Sequence, residues 1–191
     1  MDLFNQNEVK AEWLHPTEFP SMKGRDVVAI DLETCDTDLK KMGPGWPRKV
    51  GDVIGIAISS GDFTAYYPIA HEGGGNMDRS IIIEYIKEIC EDESIQKVFH
   101  NAQYDIGWLS VLNIEVKGYI HDTMIAAALL NENRYSFTLN SMVAEYLGEF
   151  KNESLLKAKA EELGIDPKAE MYKLPAEFVG EYAEADARLT W

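Results

Sequence analysis

Residues 25–33 read RDVVAIDLE. The unbroken apolar run from Val27 to Ile30 is what a strand buried on both faces requires, and it ends in acidic residues. A side-chain period of two places Asp31 and Glu33 on the same face of that strand. Two carboxylates so placed repel each other and lose solvation, which folding alone gives no reason to accept. A divalent cation would neutralise both. The plainer alternative is a pair of strand-end acids facing a loop.

Outward from this strand, a turn-rich loop carries Gly43, Pro44, Gly45 and Pro47. Two β-rich runs follow, 53–59 and 63–69, separated by Ser60-Gly61-Asp62 in the manner of a hairpin. Beyond the glycine-rich stretch 71–78 (HEGGGNMD), Ile82, Ile83, Ile86, Ile89 and Cys90 recur near helical spacing. Residues 96–100 read as a short strand, Asn101 as the N-cap of a helix over 102–112, and 116–120 as a fifth strand. Asp122 caps a helix running to Leu130. The remainder is helical: 138–147, 152–163 stopped by Gly164, and a last helix from about Pro175. This order predicts an α/β domain over 25–191, with a mixed five-stranded sheet flanked by helices. Residues 1–24, polar and broken by Pro16 and Pro20, read as an extended lead-in. The last helical pattern is still running at Trp191, which fits a piece of a longer protein.

At 191 residues the chain is long enough to bury one substantial core. No apolar run reaches the roughly 18 residues of a membrane-spanning helix, and the mixed, acidic N-terminus does not read as a secretory signal. Cys35 and Cys90 fit neither a disulfide framework nor a metal motif, and a reducing cytoplasm is the expected compartment. His15, His71 and His121 form no zinc set. Acidic residues number 33 against 18 basic, a net charge of −15. That balance argues against a free-standing nucleic-acid binder, because phosphate contacts need clustered Lys and Arg. The objection weakens if part of the excess is a carboxylate cluster holding cations, which reverse the local field.

Asp105 falls in the first turn of the helix after Asn101, where by itself it need only complement the helix dipole. Tyr182 and Asp186 lie four apart and share one face of the last helix. Ala183 and Ala185 between them allow neighbouring elements to come close. Glu181 and Glu184 point elsewhere and are expected in solvent.

Taken in order, D-L-E at 31–33, H-N-A-Q-Y-D at 100–105 and Y-A-E-A-D at 182–186 resemble the three motifs of DEDD exonucleases. The tyrosine four before the last aspartate resembles the DEDDy branch. The histidine of the DEDDh branch is missing, since position 181 is Glu. AYYPIAH at 65–71, GGGN at 73–76, DTM at 122–124, the segment 139–148 and YKLP at 172–175 look like the proofreading domain of bacteriophage family-A DNA polymerases. The resemblance implies an RNase H-like sheet and a 3′→5′ exonuclease that acts on single-stranded or frayed 3′ ends of DNA. It implies release of 5′-mononucleotides, proofreading in replication, a polymerase domain downstream of Trp191 and, for a phage protein, a bacterial host cytoplasm.

The same resemblance implies two divalent cations, Mg²⁺ or Mn²⁺, which suit a site made of oxygen ligands. Asp31 would bridge both, Glu33 and Asp186 would complete the first site, and Asp105 would serve the second. Tyr182, together with Glu33, would orient the attacking water. A phenol with a pKa of about 10 is a poor base at neutral pH. Asn101 either contacts the substrate near its terminal nucleotide or only caps its helix. His100 reads as structural, and Phe63, Tyr66, Tyr67 and Trp108 as core residues rather than base-stacking platforms. Gly73–Gly75 is a weak phosphate-cradle signal, lacking the Lys-Ser/Thr of a P-loop. Two alternatives remain open: a stand-alone RNase D-like exonuclease acting on RNA, and a catalytically inactive module that keeps the fold.

Overall fold

The computed structural model describes residues 9–191. Its centre is the strand on which the sequence turns, β1 (Val27–Cys35). A helix of one turn, α1 (Leu39–Met42), lies in the loop that follows. Strands β2 (Asp52–Ser59) and β3 (Thr64–Pro68) form the expected antiparallel hairpin, closed by Ser60 N–H donating to Phe63 O at 2.9 Å. Helix α2 (Arg79–Glu91) starts at Asp78, whose carboxylate accepts from the backbone N–H groups of Ser80 and Ile81. Then come β4 (Gln96–Phe99), α3 (Ala102–Val111), β5 (Ile120–Asp122), α4 (Thr123–Leu130), α5 (Leu139–Tyr146), α6 (Ser154–Leu163) and α7 (Gly180–Thr190).

Among the described residues the strands form one five-stranded sheet in the order β3-β2-β1-β4-β5. The pairs β1–β2 and β2–β3 are antiparallel, while β1–β4 and β4–β5 are parallel, so the sheet is mixed as the element order predicts. One face, with Val28, Ile30, Leu32, Ile56 and Ile58, packs under α2 and α3. The other, with Ile54, Ala57 and Tyr66, packs under α6 and α7. Ala183 and Ala187 of α7 are fully buried there, so the helix axis comes close to the sheet. No helix among the described residues is long and apolar enough to cross a membrane.

Two elements depart most from the sequence expectation, the others differing by a residue or two. The fifth strand is Ile120–Asp122 rather than 116–120, because Gly118 takes a φ of 77° and turns the chain inside the expected run. The last helix begins at Gly180, not near Pro175. Pro175 has ψ 140°, still extended, and opens a separate 3₁₀ turn, Ala176–Phe178.

Of the expected lead-in, residues 1–8 lie outside the described residues. Residues 9–22 carry no helix or strand but are pinned by aromatic contacts. Phe19 stacks on Tyr67 with ring centroids 5.5 Å apart, and Trp13 lies 6.0 Å from Tyr66. The aromatics assigned to the core are there: Tyr66, Tyr67 and Trp108 are fully buried, and Phe63 is partly buried against the core under α2 and α3.

Candidate active site

Strand β4 ends at Phe99, and its register with β1 stops at Ala29–Val98. Asp31, Leu32 and Glu33 therefore project past the end of their parallel neighbour. Ile30 and Leu32 point toward α3, so Asp31 and Glu33, by alternation, point toward α7. A bulge between Glu33 and Thr34 shifts the pairing with β2 at this point, a device that re-aims side chains at strand ends. Gly55 pairs with Glu33 across the ladder, and a Cβ there would fall 2.0 Å from the Tyr66 hydroxyl. The glycine leaves room for that phenol beneath the acids.

Beyond β4, Asp105 takes over the vacated ladder position. Its Oδ1 accepts from the backbone N–H of Leu32 at 3.1 Å, so an acid from the first turn of α3 sits against the strand between Asp31 and Glu33. Helix α7 brings Tyr182 and Asp186 over the same spot from the other side. Carboxylate oxygens of Asp31, Glu33 and Asp186 all lie within 4.8 Å of one another. Tyr182 lines the same cleft as Glu33 and feels the charges of Glu33 and Asp186.

The electrostatics follow from this crowding. Burial, reinforced by the neighbouring Asp186, raises the Asp31 carboxyl to about 7. Burial also drives Glu33 well above the usual carboxylate range, with Asp31 and Asp186 adding to the effect. Asp105 is raised by burial and then by Asp31. Asp186 is raised by burial against the opposing pull of Lys151. Tyr182 is pushed well above the ordinary phenol range by burial and by Glu33, so it remains a neutral phenol. Four acids made costly to ionise together, all with oxygen donors, fit hard divalent cations and leave no sulfur or imidazole for softer ones.

Lys151, between α5 and α6, is a member of this cluster that sequence reasoning missed. Its Nζ lies 2.5 Å from Asp186 Oδ1 and 4.7 Å from the centroid of the Tyr182 ring. A lysine in a polar loop carries no local signal of such a role. Glu184 corrects an expectation: it is half-buried rather than solvated, and its carboxylate accepts from the Trp13 indole N–H at 3.0 Å and from Tyr66 N–H at 3.2 Å. Glu181 is exposed as expected.

Asn101 precedes α3 but does not cap it. Its backbone is left-handed, with φ 71°, and its side chain accepts no hydrogen bond from the helix. Asp122 does that work, accepting from Asn101 N–H at 3.2 Å and Ala102 N–H at 2.8 Å while also capping α4 through Met124 and Ile125. Asn101 instead lines a cleft of about 520 Å³ together with Glu33, Thr34, Trp46, Tyr104 and Tyr182. Tyr104 is fixed in that wall, donating to Asp36 at 3.1 Å and meeting the Thr34 hydroxyl at 2.8 Å. His100 bonds to Thr123 at 2.8 Å, a structural contact. Gly73 and Gly75 pack against residues 173–176 rather than forming an open cradle.

A family model described as 3′-5′ exonuclease matches residues 17–191. The DNA-directed DNA polymerase of Pseudomonas phage M6 is 38% identical over 187 residues, covering 95% of this chain and 28% of that protein. The chain thus spans less than a third of that relative's length. Among solved structures, the complex of Trypanosoma brucei RNase D with GMP gives a TM-score of 0.64 at 21% identity, over 90% of this chain and 50% of the other. Brucella melitensis NrnC with bound Mg²⁺ gives 0.56 at 23% identity, over 90% and 72%. At such identities the likeness is one of fold, and that fold is the RNase H-like sheet of these exonucleases. Matched by the family model over most of its length, the chain belongs to the 3′–5′ exonuclease domains of family-A DNA polymerases.

Proposed function

We propose that this domain is a DEDDy exonuclease that removes nucleotides from single-stranded or frayed 3′ ends of DNA, using two divalent cations and releasing 5′-mononucleotides. The observation that carries this reading is the trio Asp31, Glu33 and Asp186, with mutual oxygen distances within 4.8 Å, at the edge of a cleft of about 520 Å³. Asp31 would be shared by both cations, Glu33 and Asp186 would complete one site, and Asp105 would face the other. Mg²⁺ is favoured, and the fold relative that binds it supports the choice. When bound, the cations supply neutralisation of charge on the scissile phosphate and activation of water.

The chain's own residues then orient the reaction. Tyr182 holds its proton, so it can fix the attacking water by a hydrogen bond but cannot deprotonate it. Glu33, which lines the same cleft, accepts a hydrogen bond from that water. Asn101, freed from capping, contacts the terminal nucleotide in the cleft. In a longer protein, a linked polymerase domain would deliver frayed primer ends, and the activity would serve proofreading within a bacterial host. Such delivery would offset the chain's own net charge of −15.

The test is cleavage of a single-stranded oligodeoxynucleotide with Mg²⁺. Asp31→Ala and Asp186→Ala should each abolish it, and wild-type turnover by either would overturn the assignment. The RNase D likeness motivates one competing substrate, RNA. Parallel assays on mismatched primer–template DNA and on RNA separate the two, with DNA expected to be cut faster.

A further inference from the structure

Lys151 holds a place that the exonuclease reading does not use. Its side chain is 5% exposed and that of Asp186 is 8% exposed, so their contact is closed to solvent. The residue comes from the stretch joining α5 and α6, which has no helix or strand there, and residues 145–150 just before it are exposed. The stretch is fastened to the molecule at three points: Glu149 pairs with Arg188 of α7 at 3.2 Å, Glu153 pairs with Lys168 at 2.9 Å, and Lys151, the most buried of the three contacts, pairs with Asp186. The Asp186 carboxylate also belongs to the three-acid trio. Lys168, the other ammonium near the Tyr182 ring at 5.6 Å, is paired with Glu153 at 2.9 Å. Only Lys151 among these two bonds to the trio.

An ammonium and a divalent cation make incompatible claims on one carboxylate. Both are drawn by the same excess of negative charge, and at contact distances they repel each other strongly in a site of low dielectric. Without cations, the lysine offsets part of the mutual repulsion of the acids. We propose that Lys151 is the resident counter-ion of the carboxylate centre, competes with divalent cations for Asp186, and leaves that carboxylate as they load. The inference rests on the metal-dependent reading above. It makes Lys151 a positioning residue that keeps the empty site assembled.

Titration of EDTA-stripped protein with Mn²⁺, followed by the electron paramagnetic signal of the free ion, gives the affinity directly. Lys151→Met should bind Mn²⁺ about tenfold more tightly than wild type, since a competing charge is gone. Lys151→Arg should remain near wild type, and Lys168→Met should change affinity by less than about twofold. Because Lys151→Met could fail to fold without cations, amine acetylation of the wild-type protein supplies a second readout. Mass spectrometry should find Lys151 protected in EDTA and modified once Mn²⁺ is added. If wild type binds Mn²⁺ but Lys151→Met binds no tighter, or Lys168→Met tightens binding equally, the competition is refuted while the metal-dependent reading stands. Unchanged Lys151 acetylation on adding Mn²⁺ refutes its displacement in the same way. If wild type binds no Mn²⁺ at all, both fall together.

Discussion

The indole nitrogen of Trp13 donates a 3.0 Å hydrogen bond to Oε1 of Glu184, joining the N-terminal lead-in to the helix that carries Tyr182 and Asp186. The same oxygen accepts from the backbone N–H of Tyr66 on β3 at 3.2 Å. One carboxylate thus ties three distant segments together on the far side of α7 from the cleft. Glu184→Ala strands two donors in a half-buried setting and should lower the unfolding free energy by about 2 kcal/mol. Glu184→Gln keeps an acceptor and should recover most of that loss. Urea denaturation of both variants measures it, and an alanine variant within about 0.5 kcal/mol of wild type would show that the tie contributes nothing.

What was legible in the sequence was whatever a local period encodes. The alternation of β1 places Asp31 and Glu33 on one face, and the four-residue step of α7 stacks Tyr182 on Asp186. Glu184 escaped because the same helical period assigns it to the outside, and the residues that cover that outside, Trp13 and Tyr66, lie 171 and 118 positions away. Of the two roles open to Asn101, the cap is taken instead by a side chain 21 residues onward, Asp122, which reaches the helix start first. The left-handed turn at Asn101 that makes this possible has no signature beyond an asparagine's tolerance for it. Lys151 sits in a loop, where no period applies, so its pairing with Asp186 becomes visible only in three dimensions.

On the proposed reading, Tyr182 separates orientation from cation binding. It lines the same cleft as Glu33, yet it contributes no carboxylate to the trio. Tyr182→Phe keeps the ring on α7 and removes only the phenol's hydrogen bond to the water. Cleavage should slow by about 10²- to 10³-fold, the range for losing one positioned hydrogen bond in a transition state. Mn²⁺ affinity should stay within a few-fold of wild type. Equal losses in rate and affinity would place the phenol among the groups that hold the cation.

Asp31 should stabilise the enzyme's chemistry at the expense of its fold. Its carboxyl titrates near 7 in the folded chain, against 3.8 in its ordinary state, mainly through burial. A carboxyl raised in this way costs stability progressively as pH rises from about 3.8, where the unfolded chain ionises, to about 7, and the full cost stands above that. Asp31→Asn removes that cost and should make the cation-free protein more stable at pH 8, by an amount on the order of 3 kcal/mol. The advantage should shrink as pH falls from 7 toward 4, and cleavage should be absent throughout. Thermal or urea unfolding in EDTA at several pH values checks both parts. Equal stability of the two proteins at pH 8 would mean that Asp31 is not strained in the empty site.

His71 gives the opposite dependence on pH. Its Nδ1 lies 2.9 Å from the carbonyl oxygen of Leu174, which can only accept, so Nδ1 carries the proton. Nε2 is then bare and accepts from the Tyr66 hydroxyl at 2.6 Å. The ring is 3% exposed, and burial holds its pKa down to about 4. In the unfolded chain the same group titrates at about 6.5. The unfolded state therefore takes up a proton first as pH falls, and stability is lost between about 6.5 and 4. The shift of roughly 2.5 units corresponds to about 3 kcal/mol. Glutamine at this position can hydrogen-bond but cannot titrate, so the stability of wild type relative to His71→Gln should fall by about that amount from pH 7 to pH 4. Taking the difference between the two proteins removes the contribution of the clustered acids Asp31, Glu33, Asp105 and Asp186, which titrate in both. Urea unfolding at pH 7, 5.5 and 4 supplies the comparison, and a difference that stays constant across those values would show that His71 is not held neutral by the fold.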